Sequence, residues 1–169
     1  MLDGSVKDRG RQKPPAKGLS GILQSKDSDS EVVEDSLRAF AYLRGIRDRA
    51  AAVEFRFLNG NSVWFPYAWL GTCHFNPSEG LLIKFSGDLV YLVLVKGSNL
   101  DQPLADTNSN LTSSGLQRHR IVWMREMNEE EIRQVGETGP TIDRIEVAEF
   151  QSHDDLKAWL EKKAPAFLN

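Results

Sequence analysis

The chain has 169 residues, 40% of them hydrophobic and 27% charged, with a net charge of −3. That is enough for one packed domain with tails. The acidic balance excludes a whole-protein attraction to nucleic acid or acidic lipid, so any such contact must come from a local patch. A single cysteine, Cys73, excludes an intramolecular disulfide and points to a reducing compartment. The N-terminal stretch Met1-Leu-Asp-Gly-Ser-Val-Lys-Asp-Arg-Gly has no apolar core of the kind a secretory signal needs. The longest apolar run, Leu89 to Val95, is far short of the ~20 residues of a spanning helix. The expectation is a cytoplasmic protein with no membrane contact.

In chain order, residues 1–30 are polar and contain Pro14-Pro15; they hold too few apolar groups to offset chain entropy and read as a disordered tail. Lys7, Arg9, Arg11, Lys13 and Lys17 make its first part basic, and Asp27, Asp29, Glu31, Glu34 and Asp35 then reverse the sign. Val33, Leu37 and Phe40 recur at helical spacing after a capping Ser30, which predicts a helix over this region, weakened at Gly45. From Val53 the period changes to two, and Val53, Phe55 and Phe57 alternate with Glu54 and Arg56 as a half-buried strand. Asn59-Gly60 then predicts a tight hairpin turn.

Val63 to Phe75 reads as the returning strand. Pro66 lacks an N–H, so it marks an edge position, a bulge or a strong bend. Leu81, Ile83 and Phe85 form the next strand, and Leu89 to Lys96, apolar on both faces, the most buried one. The short turns between these strands predict an antiparallel meander. Residues 106–115 are rich in turn formers, and so long a loop is either mobile or functional. Arg120 to Met127 is a fifth strand. Asn128 caps a short acidic helix, Ile142 to Phe150 is a weaker strand or an extended arm, and Ser152 caps a final helix, 154–163. The fold class is therefore α+β: a strongly bent antiparallel meander or small β-barrel of four or five strands, with flanking N- and C-terminal helices. The chain divides into the tail, 1–30, a helix-plus-meander domain, 31–127, and a C-terminal extension, 128–169, whose last helix packs on the sheet.

Candidate chemistry is sparse. Cys73 and His74 are neighbours on a strand and point to opposite faces, so they cannot pair with each other. One cysteine and three scattered histidines show no metal-ligand spacing. No phosphate-binding glycine loop and no nucleophile motif occurs, and Glu129, Glu130 and Glu131 read as a solvated helix start. The expectation is no enzyme, no cofactor and no metal. Along the aromatic strand, Val63, Phe65, Tyr67 and Trp69 on one face leave Trp64, Pro66, Ala68 and Leu70 on the other. Both sets are apolar, so the second set, Trp64 and Leu70 above all, is covered either by a helix of this chain or by a protein partner. Arg118, His119 and Arg120 form a short basic patch beside the strand that holds Trp123, a combination that suits a phosphate or a stacked base. It equally suits edge charge against aggregation.

The segment Leu94-Val-Lys-Gly-Ser-Asn-Leu100 resembles the second signature of Sm-like proteins, an apolar strand ending in a basic residue, Gly, a polar residue, Asn and an aliphatic. The resemblance spans roughly residues 31–127 and implies a small ring-forming barrel that often binds RNA, with Lys96 and Asn99 near the RNA pocket. The chain departs from that pattern at Asn76-Pro-Ser-Glu-Gly80, where the first signature carries Asp and Asn. Two functions follow as expectations. The first is a non-catalytic module that docks a protein partner or its own copy through exposed sheet edges or the Trp64/Leu70 face. The alternative is an RNA-binding module using Lys96, Arg118, His119 and Arg120.

Overall fold

The computed structural model describes residues 32–33, 37–104 and 107–168. The expected polar tail and the capping Ser30 lie outside them. Among the described residues nine strands form two sheets. The first has the order β1-β2-β8-β3-β4, where β1 is Val32–Val33, β2 Phe40–Leu43, β3 Ala52–Arg56, β4 Ser62–Pro66 and β8 Ile121–Arg125. The second has the order β5-β6-β7-β9, with β5 Leu70–Asn76, β6 Gly80–Ser86, β7 Val90–Ser98 and β9 Thr141–Phe150. All pairings are antiparallel except β3 with β8. The architecture is α+β, and among the described residues the two sheets stay open, with no closed barrel.

The helix expected from near Ser30 past Phe40 is not what the described residues form. Phe40–Leu43 is a strand, paired with β8 and buried on both faces together with Ala39. A short continuous apolar run carries no period that separates a buried strand from a buried helix. The single meander is the second correction. The predicted strand 63–75 is two strands in different sheets, joined by one turn of 3-10 helix, Tyr67–Trp69. Pro66 is where the path breaks: it ends β4 on the sheet edge, where no partner asks for the N–H it lacks.

The β3–β4 hairpin forms as its Asn-Gly dictates. Gly60 sits at φ 86°, Phe57 N–H donates to Asn61 O at 2.9 Å, and Gly60 N–H donates to Phe57 O at 3.0 Å. The two sheets face each other across one core. Phe55 and Phe65 from the first sheet meet Phe85 from the second, Phe65 stacking on Phe85 at 4.6 Å. The outer face of the second sheet carries Leu82, Leu92, Leu94 and Phe150. It is sealed by helix α2, His153–Lys163, through Leu160 and Trp159, and by Ala164 just after it. Ser152 caps α2 by accepting from Asp155 N–H, and Asn128 caps helix α1, Glu129–Val135, in a capping box with Glu131.

The long connection from β7 to β8 is anchored, not loose, in its described part. Leu100, Leu104, Leu111 and Leu116 are all buried in the main core. Its one turn of π-helix, Leu111–Gly115, is closed by Asn110, whose side chain accepts from Ser114 N–H.

Candidate docking groove

Register decides which residues of β9 face the opposite sheet. Ile145 lies across from Val95, Val147 from Val93 and Glu149 from Tyr91. Cross-strand partners share a face, and Val93 and Val95 are wholly buried in the core between the sheets. Val147, Glu149 and Tyr91 are therefore inner-face positions. Yet Val147 is 36% exposed and Glu149 is exposed too. The first sheet does not reach them, and the sandwich is open here.

The opening is a groove of about 410 Å³. One wall is the free edge of β4, with Val63, Trp64 and Phe65; the other is Tyr91, Val147 and Glu149. Trp69 closes one side, its indole parallel to the Tyr91 ring within 7° at 6.4 Å between centroids. Gly87 makes room for it, since a Cβ there would sit 2.8 Å from the indole. Phe65, beneath, touches Tyr91 at 5.1 Å. Trp64 stands 64% exposed, the largest aromatic surface the described residues leave open. Glu149 makes no ion pair among the described residues.

The backbone adds to this. Phe57 N–H bonds Asn61 O, and Tyr67 N–H bonds Ala51 O at 2.9 Å, which sets the alternation of the β3–β4 ladder. Val63 and Phe65 point their amide groups toward β3, and Ser62 and Trp64 point theirs to the free edge. The groove thus offers aromatic surface, one carboxylate and strand-edge amides that have no strand partner among the described residues.

The predicted site residues do not assemble. Trp64 lines the groove. Leu70, at the start of β5, is half-buried against the main core. Lys96 is half-buried on β7, across from Arg144. Asn99 takes a positive φ of 56°, its Nδ2 donates to Gly139 O at 3.3 Å, and it shares a pocket of about 140 Å³ with Gly97, Asp101 and the Pro77 turn. Arg118 is exposed. His119, also at positive φ, stacks on Tyr67 at 4.6 Å. Arg120 is buried: Nε donates to Leu43 O at 2.8 Å, Nη2 to Arg44 O at 2.9 Å, and the guanidinium lies over the Tyr42 ring. It laces the end of β2 to β8 and presents no free charge to solvent, which removes it from the expected basic patch.

Cys73 is exposed on the β5 edge, and desolvation by its neighbours pushes its thiol pKa up, away from the thiolate. Burial likewise pushes the Tyr67 phenol far above its usual range, and its hydroxyl donates to Ile121 O at 2.8 Å. His74 lies on the other face of β5, across from Leu82 and near Phe167. Among the described residues no group of His, Cys, Asp and Glu is placed to hold a metal ion, and no helix is long and apolar enough to cross a membrane.

Trp69, Tyr91, Val147 and Glu149 are the groove residues that sequence reasoning missed. Trp69 read as an inward core residue, and nothing local distinguishes Val147 and Glu149 from any half-buried strand. No family model matches the chain, and neither curated proteins nor solved structures yield a significant match.

Proposed function

We propose that this chain is a non-catalytic interaction module that docks an extended protein segment along β4. The segment comes from a protein partner or from another copy of the chain. The carrying observation is Trp64, an exposed indole on the β4 edge that lines a groove with Tyr91, Val147 and Glu149, inner-face positions of the second sheet that no described residue covers. Apolar contacts at Trp64, Trp69 and Tyr91 supply affinity, and the Ser62 and Trp64 amide groups supply orientation, as in strand addition. The single cysteine fits a reducing, cytoplasmic setting.

Selection of displayed random peptides on the full chain tests this reading. Wild type should enrich a convergent set of extended sequences that Trp64→Ser does not retain. Equal enrichment by both chains, or none by either, overturns it.

A second reading, an RNA-binding module of Sm-like type, draws on the pocket that Asn99 and Gly97 share with the β5–β6 turn. It requires oligonucleotide binding that weakens steeply with salt. No binding of a single-stranded RNA probe at low salt removes it.

A further inference from the structure

The groove combines aromatic rings with a carboxylate that makes no ion pair among the described residues, and that chemistry suits a specific kind of segment: extended, proline-bearing and cationic. Prolines pre-set the extended polyproline II conformation and stack on Trp and Tyr rings at low entropic cost. A flanking Lys or Arg answers Glu149 and gains from the aromatic faces as well. The chain carries such a segment. Arg11-Gln-Lys-Pro-Pro-Ala-Lys17 places Pro14-Pro15 between cations.

Charge distribution supports the match. Residues 1–17 hold five Lys or Arg and two acids, net +3, which leaves −6 on the rest of the chain. Reach permits it. Fourteen residues, 18–31, separate Lys17 from Val32 on β1. Extended, they span up to about 48 Å. From β1 to β4 is four strand spacings, roughly 19 Å. A tether of that length holds the segment at an effective concentration near millimolar, enough for a weak contact to persist.

Resting on the docking reading above, we propose that the chain's own Arg11–Lys17 segment occupies the β4 groove in cis, with Pro14-Pro15 against Trp64 and Trp69 and a flanking cation on Glu149. It is a tethered ligand that an incoming partner must displace.

The indole N–H signals of the full-length chain read this directly, with Trp64→Phe and Trp69→Phe used to assign them. Replacing Arg11, Lys13 and Lys17 by Glu should shift the Trp64 and Trp69 signals and leave those of Trp123 and Trp159 in place. A second chain with Pro14→Gly and Pro15→Gly, its charge unaltered, should shift the same two. Salt at 1 M should move the wild-type signals toward those of the charge-reversed chain. Superposing spectra overturn the proposal, as does a response to charge but not to the prolines. A Trp64 shift that vanishes on hundredfold dilution assigns the contact to a second copy and overturns the cis assignment. If displayed peptides still enrich through Trp64 while the indoles ignore the tail, the docking reading stands and only this occupant falls.

Discussion

The edge strands β4 and β9 border the same groove and are built in opposite ways. β9 carries Asp143, Arg144, Glu146 and Glu149 along its length. Glu146 is held between Arg144 at 3.0 Å and Lys163 of α2 at 3.0 Å. Charges of this kind on an edge discourage the addition of a foreign strand. β4, Ser62-Val-Trp-Phe-Pro66, has no charge at all and exposes Trp64, and only Pro66 limits its free edge. An undefended edge is a hazard that natural sheets rarely leave beside an apolar groove. β4 thus lacks the charged defence that β9 carries, and a docking role gives that lack a reason.

The sharpest way to break this comparison lies within β4 itself, where adjacent residues should differ most. Phe65 points inward, buried beneath Phe85 and Phe55. Phe65→Ala should cost about 3–5 kcal/mol in urea unfolding, as large-to-small changes in an aromatic core do. Trp64→Ser, one residue away, should stay within about 0.5 kcal/mol of wild type, because its indole is mostly in water. Comparable losses at both positions would mean that Trp64 is a packing residue and that the edge is not free.

A smaller effect tests the turn that carries the chain from one sheet to the other. Tyr67 has its folded pKa raised above the unfolded value of about 10 by burial, with its hydroxyl bonded to Ile121 O. A raised pKa means that the stabilisation is fully present below pH ~10 and is lost as pH climbs toward the folded value. Wild-type stability should therefore fall above pH 10 by up to about 1.4 kcal/mol per pH unit from this group. Tyr67→Phe should remove that slope while costing about 1 kcal/mol at neutral pH for the lost hydrogen bond. Cys73, also raised, acts in the same direction, so the comparison belongs in a Cys73→Ser background. An unchanged alkaline slope in Tyr67→Phe would contradict the burial of that phenol.

Local chemistry made much of this legible in the sequence. Asn59-Gly60 gives the hairpin, Ser152 and Asn128 give the caps of α2 and α1, and the alternation around Trp64 gives its outward face. Pro66 announced a break. What it could not announce was that the strand after the break joins another sheet, because that choice depends on which partners lie beyond. The same blindness hid the parallel pairing of β3 with β8 and turned the buried Phe40–Leu43 into an expected helix. Arg118, His119 and Arg120 looked like one patch. The backbone turns at His119, and the three side chains go to solvent, to Tyr67 and into the core. The groove was invisible for a related reason. Val147 and Glu149 become groove residues only through their register with β7 and the shortness of the sheet opposite.

Amide hydrogen exchange at Ser62 and Trp64, in the full chain with and without the most strongly enriched displayed peptide, tests the open edge most directly. These two amides should slow on peptide addition while Val63 and Phe65, already bonded to β3, change little. Protection confined to the α2 side of the second sheet, or absent from β4 altogether, would contradict it.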